Sequence, residues 1–239
     1  MIRIRRSEER GHSDHGWLNA YQTFSFGNYY DPEYSGFRSL RVLNDDRIAP
    51  GKGFGPHAHR DMEIITYVVE GHILHRDSMG ERHVVGPNEI QTMSAGSGIV
   101  HSEFNASEHE LARVLQIWIS PESEDLKPSY QQISFAPGEK KGRLRLLASP
   151  GHNNGNGGEP LTLIRQDVRF FVAELGPGES VAHTLDAGRH GWVQVVRGHV
   201  SLNGQEMKEG DGAAISSEKN VSLSGAGTGG GEILLFDLA

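Results

Sequence analysis

Cysteine is absent from this 239-residue chain, which excludes disulfides, thiolate metal sites and cysteine nucleophiles at once. Any metal must therefore be held by imidazole and carboxylate, a donor set for Fe, Cu, Ni, Mn, Co or open Zn sites rather than closed structural zinc. Long apolar runs are missing too. No stretch approaches the ~18 residues of a membrane span, and none follows Arg3, Arg5, Arg6 and Arg10 as a signal peptide would require. A clustered basic surface is also lacking. The formal charge is −8, opposite in sign to what a phosphate backbone attracts, so nucleic acid is not an expected partner. A soluble, cytoplasmic, monomeric protein without membrane association is expected.

What the chain has in excess is glycine, 31 residues, roughly twice ordinary usage. Set between short apolar runs, so many glycines imply many turns and hence many strands. Strands are expected from Arg38 to Leu43, Glu63 to Glu70, His72 to Arg76, Glu89 to Met93 and Leu111 to Ile119. The segment Pro121 to Lys127 is the best candidate for a helix. A proline-bearing, charged stretch over 120–145 reads as an interdomain connection, and residues 149–160 read as a polar, glycine-rich loop. Strands resume at Val168–Leu175 and continue to Glu232–Leu238.

The two halves repeat. Tyr67-Val-Val-Glu-Gly-His-Ile73 matches Gln194-Val-Val-Arg-Gly-His-Val200, and Gly86-Pro-Asn-Glu finds a counterpart in Gly210-Asp-Gly-Ala. Two matches in the same order imply duplication. The expected architecture is all-β: two antiparallel β-barrels side by side, closed so that no strand edge is left bare. Residues 1–130 form the first barrel and 131–239 the second.

Thirteen histidines make a metal site feasible, and two short stretches concentrate the chemistry. His57 and His59 stand two apart, so in a strand they share a face; Glu63 joins them if no bulge intervenes. Some 40 residues on, after the glycine-rich Gly96–Gly98 turn, His101 and Glu103 repeat the device. Two adjacent strands that each turn such a pair into one barrel give three imidazoles and a carboxylate, with coordination positions left open for substrate. Spacing alone does not choose between Glu63 and Glu103. His72, His75 and His83 lack such a pattern and are expected to be exposed, and His12 and His15 read as turn contacts. Phe54, Met93 and Phe104 flank the ligands and read equally well as cleft or as barrel core. In the second half, His183 is followed by Leu185 where His59 follows His57, so no second metal is expected there.

These stretches resemble the two cupin motifs, from Gly51 to Glu63 and from Gly98 through His101 to Asn105. More closely they resemble the pirin family, in His57-Ala-His-Arg-Asp-Met-Glu63 followed by Glu70-Gly71 and in Met93-Ser-Ala-Gly-Ser-Gly-Ile-Val-His101-Ser-Glu103. Asp14-His-Gly-Trp-Leu18 and Thr23-Phe-Ser-Phe-Gly-Asn-Tyr-Tyr-Asp-Pro32 resemble the bacterial pirin-like branch. The resemblance implies a bicupin with jelly-roll barrels and one divalent ion, iron(II) by analogy, on His57, His59, His101 and Glu103. It makes Glu103 the ligand and Glu63 a supporting residue. It also implies a quercetin 2,3-dioxygenase: ring opening of a flavonol by O2 with release of carbon monoxide, Glu103 being the proton acceptor. The family's animal members imply the alternative, a redox-sensing regulator that binds a protein partner.

Overall fold

Short runs of β-branched and aromatic residues, broken every few positions by glycine, asparagine and proline, set the architecture. The computed structural model describes residues 1–151 and 158–239, so the loop expected at 149–160 lies partly outside the described residues. The first strands are β1 (Ile2–Arg5), β2 (Gly11–Asp14), β3 (Leu18–Gln22), β4 (Leu40–Ile48), β5 (Gly53–His59), β6 (Glu63–Glu70) and β7 (Ile73–Asp77). They are followed by β8 (Arg82–Val85), β9 (Glu89–Ser94), β10 (Ile99–Asn105), β11 (Ala112–Ile119), β12 (Ser129–Ser134), β13 (Arg145–Ser149) and β14 (Thr162–Leu163). The last are β15 (Val168–Leu175), β16 (Ser180–Thr184), β17 (His190–Leu202), β18 (Gln205–Lys208), β19 (Gly212–Ile215), β20 (Asn220–Gly225) and β21 (Gly231–Leu238).

One compact unit comprises Gly11–Phe135 with Thr162–Gln166; the other comprises Met1–Arg10, Ala136–Leu161 and Asp167–Ala239. The division is thus less sequential than a cut near residue 130. The first ten residues join the C-terminal unit because β1 pairs with β19, Ile2 opposite Ile215 through Arg5 opposite Gly212.

Within the N-terminal unit a seven-stranded sheet, ordered β12-β9-β6-β11-β4-β3-β2, and a four-stranded sheet, β5-β10-β7-β8, form the two layers of a jelly roll. Leu18, Ala20, Ile48, Val68 and Val114 from the larger sheet pack with Ile73 and Val85 from the smaller one. The sheets are not closed into a ring, contrary to the sequence expectation. The edge strand β8 is instead kept short, with Arg82 and His83 exposed on it, a device that discourages edge-to-edge pairing.

In the C-terminal unit the thirteen-residue β17 pairs with β19 and β21 along its first part and with β18 and β20 along its last. An apolar cluster that includes Leu185, Val193, Leu202, Val221, Leu223 and Leu235 forms its core. No helix forms over Pro121 to Lys127. That segment's backbone is used across loops instead: Glu122 N–H donates to Arg165 O at 2.8 Å, Leu126 O accepts from Ser97 N–H at 2.8 Å, and Asp125 takes a left-handed φ of 57°. Among the described residues no helix is long and apolar enough to cross a membrane.

The duplication is visible in backbone detail. Gly71 and Gly198 both have φ of 70°, and the carbonyls of His72 and His199 that follow accept from Ala106 and Ala226, each at 2.9 Å. Glu70 lies opposite Arg113 and Arg197 opposite Glu232, the same pair with its charges exchanged, each beside a β-bulge. A Cβ at residue 198 would lie 2.2 Å from Gly230 O, in a backbone region that side chains already disfavour. Gly198→Ala is therefore expected to lower stability by roughly 1–3 kcal/mol in urea unfolding; an unchanged midpoint would show that the turn relaxes freely.

Candidate metal centre

Antiparallel pairing of β5 with β10 sets His57 directly opposite His101 and His59 opposite Ile99. A bulge follows, after which Phe54 rather than residue 55 faces Glu103. The extra residue lies at Gly55–Pro56, where a proline without an N–H is tolerated because the ladder is already interrupted. His57 and His59 share a face as their spacing requires, and so do His101 and Glu103. The three imidazole rings meet with centroids 4.5 to 4.8 Å apart, and one ring nitrogen from each lies within 4.8 Å of the others.

Glu63 does not join them. β5 ends at His59, Asp61 turns the chain with φ of 48°, and Glu63 begins β6 opposite Ser94. Its carboxylate accepts from the backbone N–H of Arg165 at 3.1 Å.

Burial shapes the chemistry of the cluster. His101 is 1 % exposed, and neither of its ring nitrogens has a hydrogen-bond partner among the described residues. Burial first, then charge on His57, His59 and His75, pushes its pKa down to about 2. Burial and then His57 push His59 down to about 4. Both rings are thus neutral lone-pair donors at physiological pH. His57 is oriented by its Nδ1, 2.8 Å from Gly55 O; since a carbonyl only accepts, Nδ1 carries the proton and Nε2 keeps its lone pair. Such a backbone contact fixes the tautomer of a metal-ligating histidine. Converging, unpartnered lone pairs repel one another unless a cation lies between them. The donors present therefore fit a borderline divalent ion.

Glu103 is fully buried behind the histidines, and burial raises its pKa. Its Oε1 accepts from Thr66 Oγ1 at 3.1 Å and its Oε2 from Gln116 Nε2 at 2.7 Å. In this arrangement it clusters with His101 and His75 rather than with His57 and His59. His75, expected to be exposed, is 0 % exposed and lies opposite Glu103 across the β7–β10 ladder. Its Nε2 lies 3.0 Å from Asp77 Oδ2, while its Nδ1 has no hydrogen-bond partner among the described residues. His83 is exposed as expected. His12 stacks on Tyr21 at 4.6 Å, and His15 is an exposed turn residue. Met93 is core, 0 % exposed, in a cluster with Ile64, Ala95 and Ile99. Phe54 is half-buried against Trp17 and His57, and Phe104 is half-buried.

The internal repeat carries a signal that would have found His75, Thr66 and Gln116. Counted from Gly71 and Gly198, His75 corresponds to Leu202 and Thr66 to Val193. Strand register then equates Glu103 with Leu223, His101 with Val221 and Gln116 with Leu235. All five counterparts, and Leu185 in place of His59, are buried in one apolar cluster. His183, the counterpart of His57, is engaged at 2.8 Å by Asp237 Oδ2.

A pH dependence follows for the metal-free protein. His59 and His101 have folded pKa values below the unfolded value near 6.5. As pH falls below 6.5 the unfolded chain takes up protons that the folded site refuses, so these rings lose stability for the fold down to about pH 4 for His59 and about 2 for His101. The raised Glu103 acts in the opposite sense, so the difference between variants is the informative quantity. His101→Gln is expected to flatten the decline between pH 6.5 and 4 by up to about 1.4 kcal/mol per pH unit, read by urea unfolding after chelation. Parallel curves would contradict the assignment.

Two family models match the chain: Pirin over residues 3–119 and the quercetinase C-terminal cupin domain over residues 146–238. The chain is 44 % identical over 238 residues to a quercetin 2,3-dioxygenase of Escherichia coli K12, covering 100 % of this chain and 99 % of that protein. It is 41 % identical over 239 residues to a putative quercetin 2,3-dioxygenase of Pseudomonas aeruginosa, covering all of both. Among solved structures, the E. coli bacterial pirin YhhW in complex with nickel(II) superposes with a TM-score of 0.91 at 45 % identity, covering 100 % of this chain and 99 % of that one. With both of its halves matched and relatives aligned over their full length, this chain belongs to the pirin family and is built as a bicupin.

Proposed function

We propose that the protein is a metal-dependent flavonol dioxygenase of the quercetin 2,3-dioxygenase type, with one divalent ion held by His57, His59, His101 and Glu103. The observation that carries the site is His101, buried with two unpartnered ring nitrogens at the meeting point of three imidazoles. The names of the E. coli and P. aeruginosa relatives support the reaction, and the nickel(II) complex of YhhW supports a divalent ion. The reading takes iron(II) as the native ion.

Once bound, the ion supplies Lewis acidity to the substrate's 3-hydroxyl and a path for electrons toward O2. Glu103 receives the hydroxyl proton. In the metal-free protein burial raises its proton affinity, opposed by the donors Thr66 Oγ1 and Gln116 Nε2. His59 and His101 stay neutral, as ligands must, because burial and neighbouring histidines suppress their protonation. In the reaction proposed, both oxygen atoms of O2 enter the product, the central ring opens to a phenolic ester and carbon monoxide leaves.

Protein purified without added metal is expected to contain one transition-metal ion per chain, identified by elemental analysis, and to consume O2 with quercetin while releasing carbon monoxide. His101→Ala should lose the ion and the activity together. Glu103→Gln should lower kcat by about 10²–10⁴-fold. Metal-loaded protein that consumes no O2 with quercetin would overturn the reaction, and turnover surviving without metal in His101→Ala would overturn the site.

A further inference from the structure

Two conspicuous N-terminal motifs, Asp14 to Leu18 and Thr23 to Pro32, contribute no metal donor. Each delivers one aromatic ring to the rim of the histidine cluster. Trp17 meets Phe54 edge-on, with centroids 5.3 Å apart, and Phe54 lies 6.3 Å from the ring of His57. On the other side, Phe26 meets Trp118 edge-on at 5.3 Å, and Trp118 stands edge-on to His59 at 4.8 Å. The two pairs belong to separate packing groups, Trp17 and Phe54 with one core cluster and Trp118 with another. All four rings are half-buried, as are His57 and His59.

Three further observations set this apart from ordinary core packing. Phe26 is carried on a short tight loop in which Phe26 and Tyr29 exchange backbone hydrogen bonds at 3.0 Å and Ser25 N–H donates to Tyr34 O at 2.7 Å. Its ring is thus held in place before any ligand arrives. The indole Nε1–H of Trp118 is shielded from solvent and has no acceptor among the described residues. The counterpart of Trp118 in the C-terminal unit, by strand register, is Asp237, which pairs with His183. The aromatic at this position accompanies the unit that keeps the histidine cluster.

We infer that the pairs Trp17–Phe54 and Phe26–Trp118 are the two walls of a seat for a flat aromatic ligand whose oxygen donors reach the metal between them. The inference rests on the proposed function for the ligand's chemical class, a planar polyphenol with adjacent carbonyl and hydroxyl oxygens. Edge-to-face pairing within each wall leaves rigid ring surface for stacking, which loses little side-chain freedom on binding. The metal thereby selects the chelating oxygens, and the walls select planarity.

The test is anaerobic calorimetric titration of nickel(II)-loaded protein with quercetin, alongside titration with azide, a small metal-binding anion that cannot stack. Trp118→Leu, Phe26→Leu and Phe54→Leu are each expected to raise the quercetin Kd by about tenfold, with metal content and azide affinity unchanged. Trp118→Phe, which keeps an aromatic ring at this position, should recover most of that loss. Unchanged quercetin affinity in a folded, metal-loaded Trp118→Leu Phe26→Leu double variant overturns the walls. So does an equal loss of azide binding, which would mean that the rings act only through the histidines. If Phe26→Leu fails to fold, Phe54→Leu on the opposite wall and Trp118→Phe decide the same question. Quercetin bound with this wall dependence but never oxygenated removes the dioxygenase reading and leaves the walls. Oxygenation with an unaltered KM in the variants does the reverse.

Discussion

Six positions that the C-terminal unit fills with Leu185, Val193, Leu202, Val221, Leu223 and Leu235 carry His59, Thr66, His75, His101, Glu103 and Gln116 in the N-terminal unit. The same strand register serves both sets. One unit obtains an ordinary apolar core from it, while the other holds a carboxylate and several imidazoles away from water. Burying such groups costs several kcal/mol each unless they are paired. The N-terminal unit meets part of that cost internally, through Thr66 and Gln116 on Glu103 and Asp77 on His75. The unpartnered nitrogens of His101 are what remains. A divalent cation bound there would balance them, and metal affinity and the stability of this unit would then be two faces of the same electrostatic deficit.

The surroundings follow from that constraint. Burial raises the proton affinity of Glu103 in the metal-free protein, which suits the role of proton acceptor proposed for it. Asp46, also buried, is pushed up to about 8 by burial, by Asp45 and by Glu103, so negative charge at Glu103 is felt across the interior. The neighbouring Asp45 instead receives a two-pronged contact from Arg113, both bonds 2.9 Å. The half-buried rings of Phe54 and Trp118 lie against the half-buried His57 and His59.

Much of this was legible in the sequence, and the exceptions have physical causes. The i, i+2 pairs His57/His59 and His101/Glu103 are legible because strand periodicity is strict, and the strand Glu63–Glu70 is legible because its apolar run is bounded by turn residues. The tie between Glu63 and Glu103 is not, because the Asp61 turn that diverts Glu63 leaves no mark in the spacing. Nor is the pairing of β1 with β19, a contact between chain segments more than 200 residues apart. Pro121 to Lys127 has helix-compatible composition, yet its backbone groups find partners in other loops, and tertiary contacts outweigh weak propensity. His75 looked like a surface residue because a lone histidine in a strand has no carboxylate pattern around it. Its alignment with the buried Leu202 carried the information.

The account turns on where an ion sits in the N-terminal unit. Anomalous diffraction at the metal edge, from crystals of the metal-loaded protein, tests this most directly. The account predicts one peak about 2.0–2.2 Å from a nitrogen of each of His57, His59 and His101 and from a carboxylate oxygen of Glu103, with Glu103 drawn off Thr66 and Gln116 to reach it. A peak on His75 without His57 and His59, or one on His183 in the C-terminal unit, would contradict it.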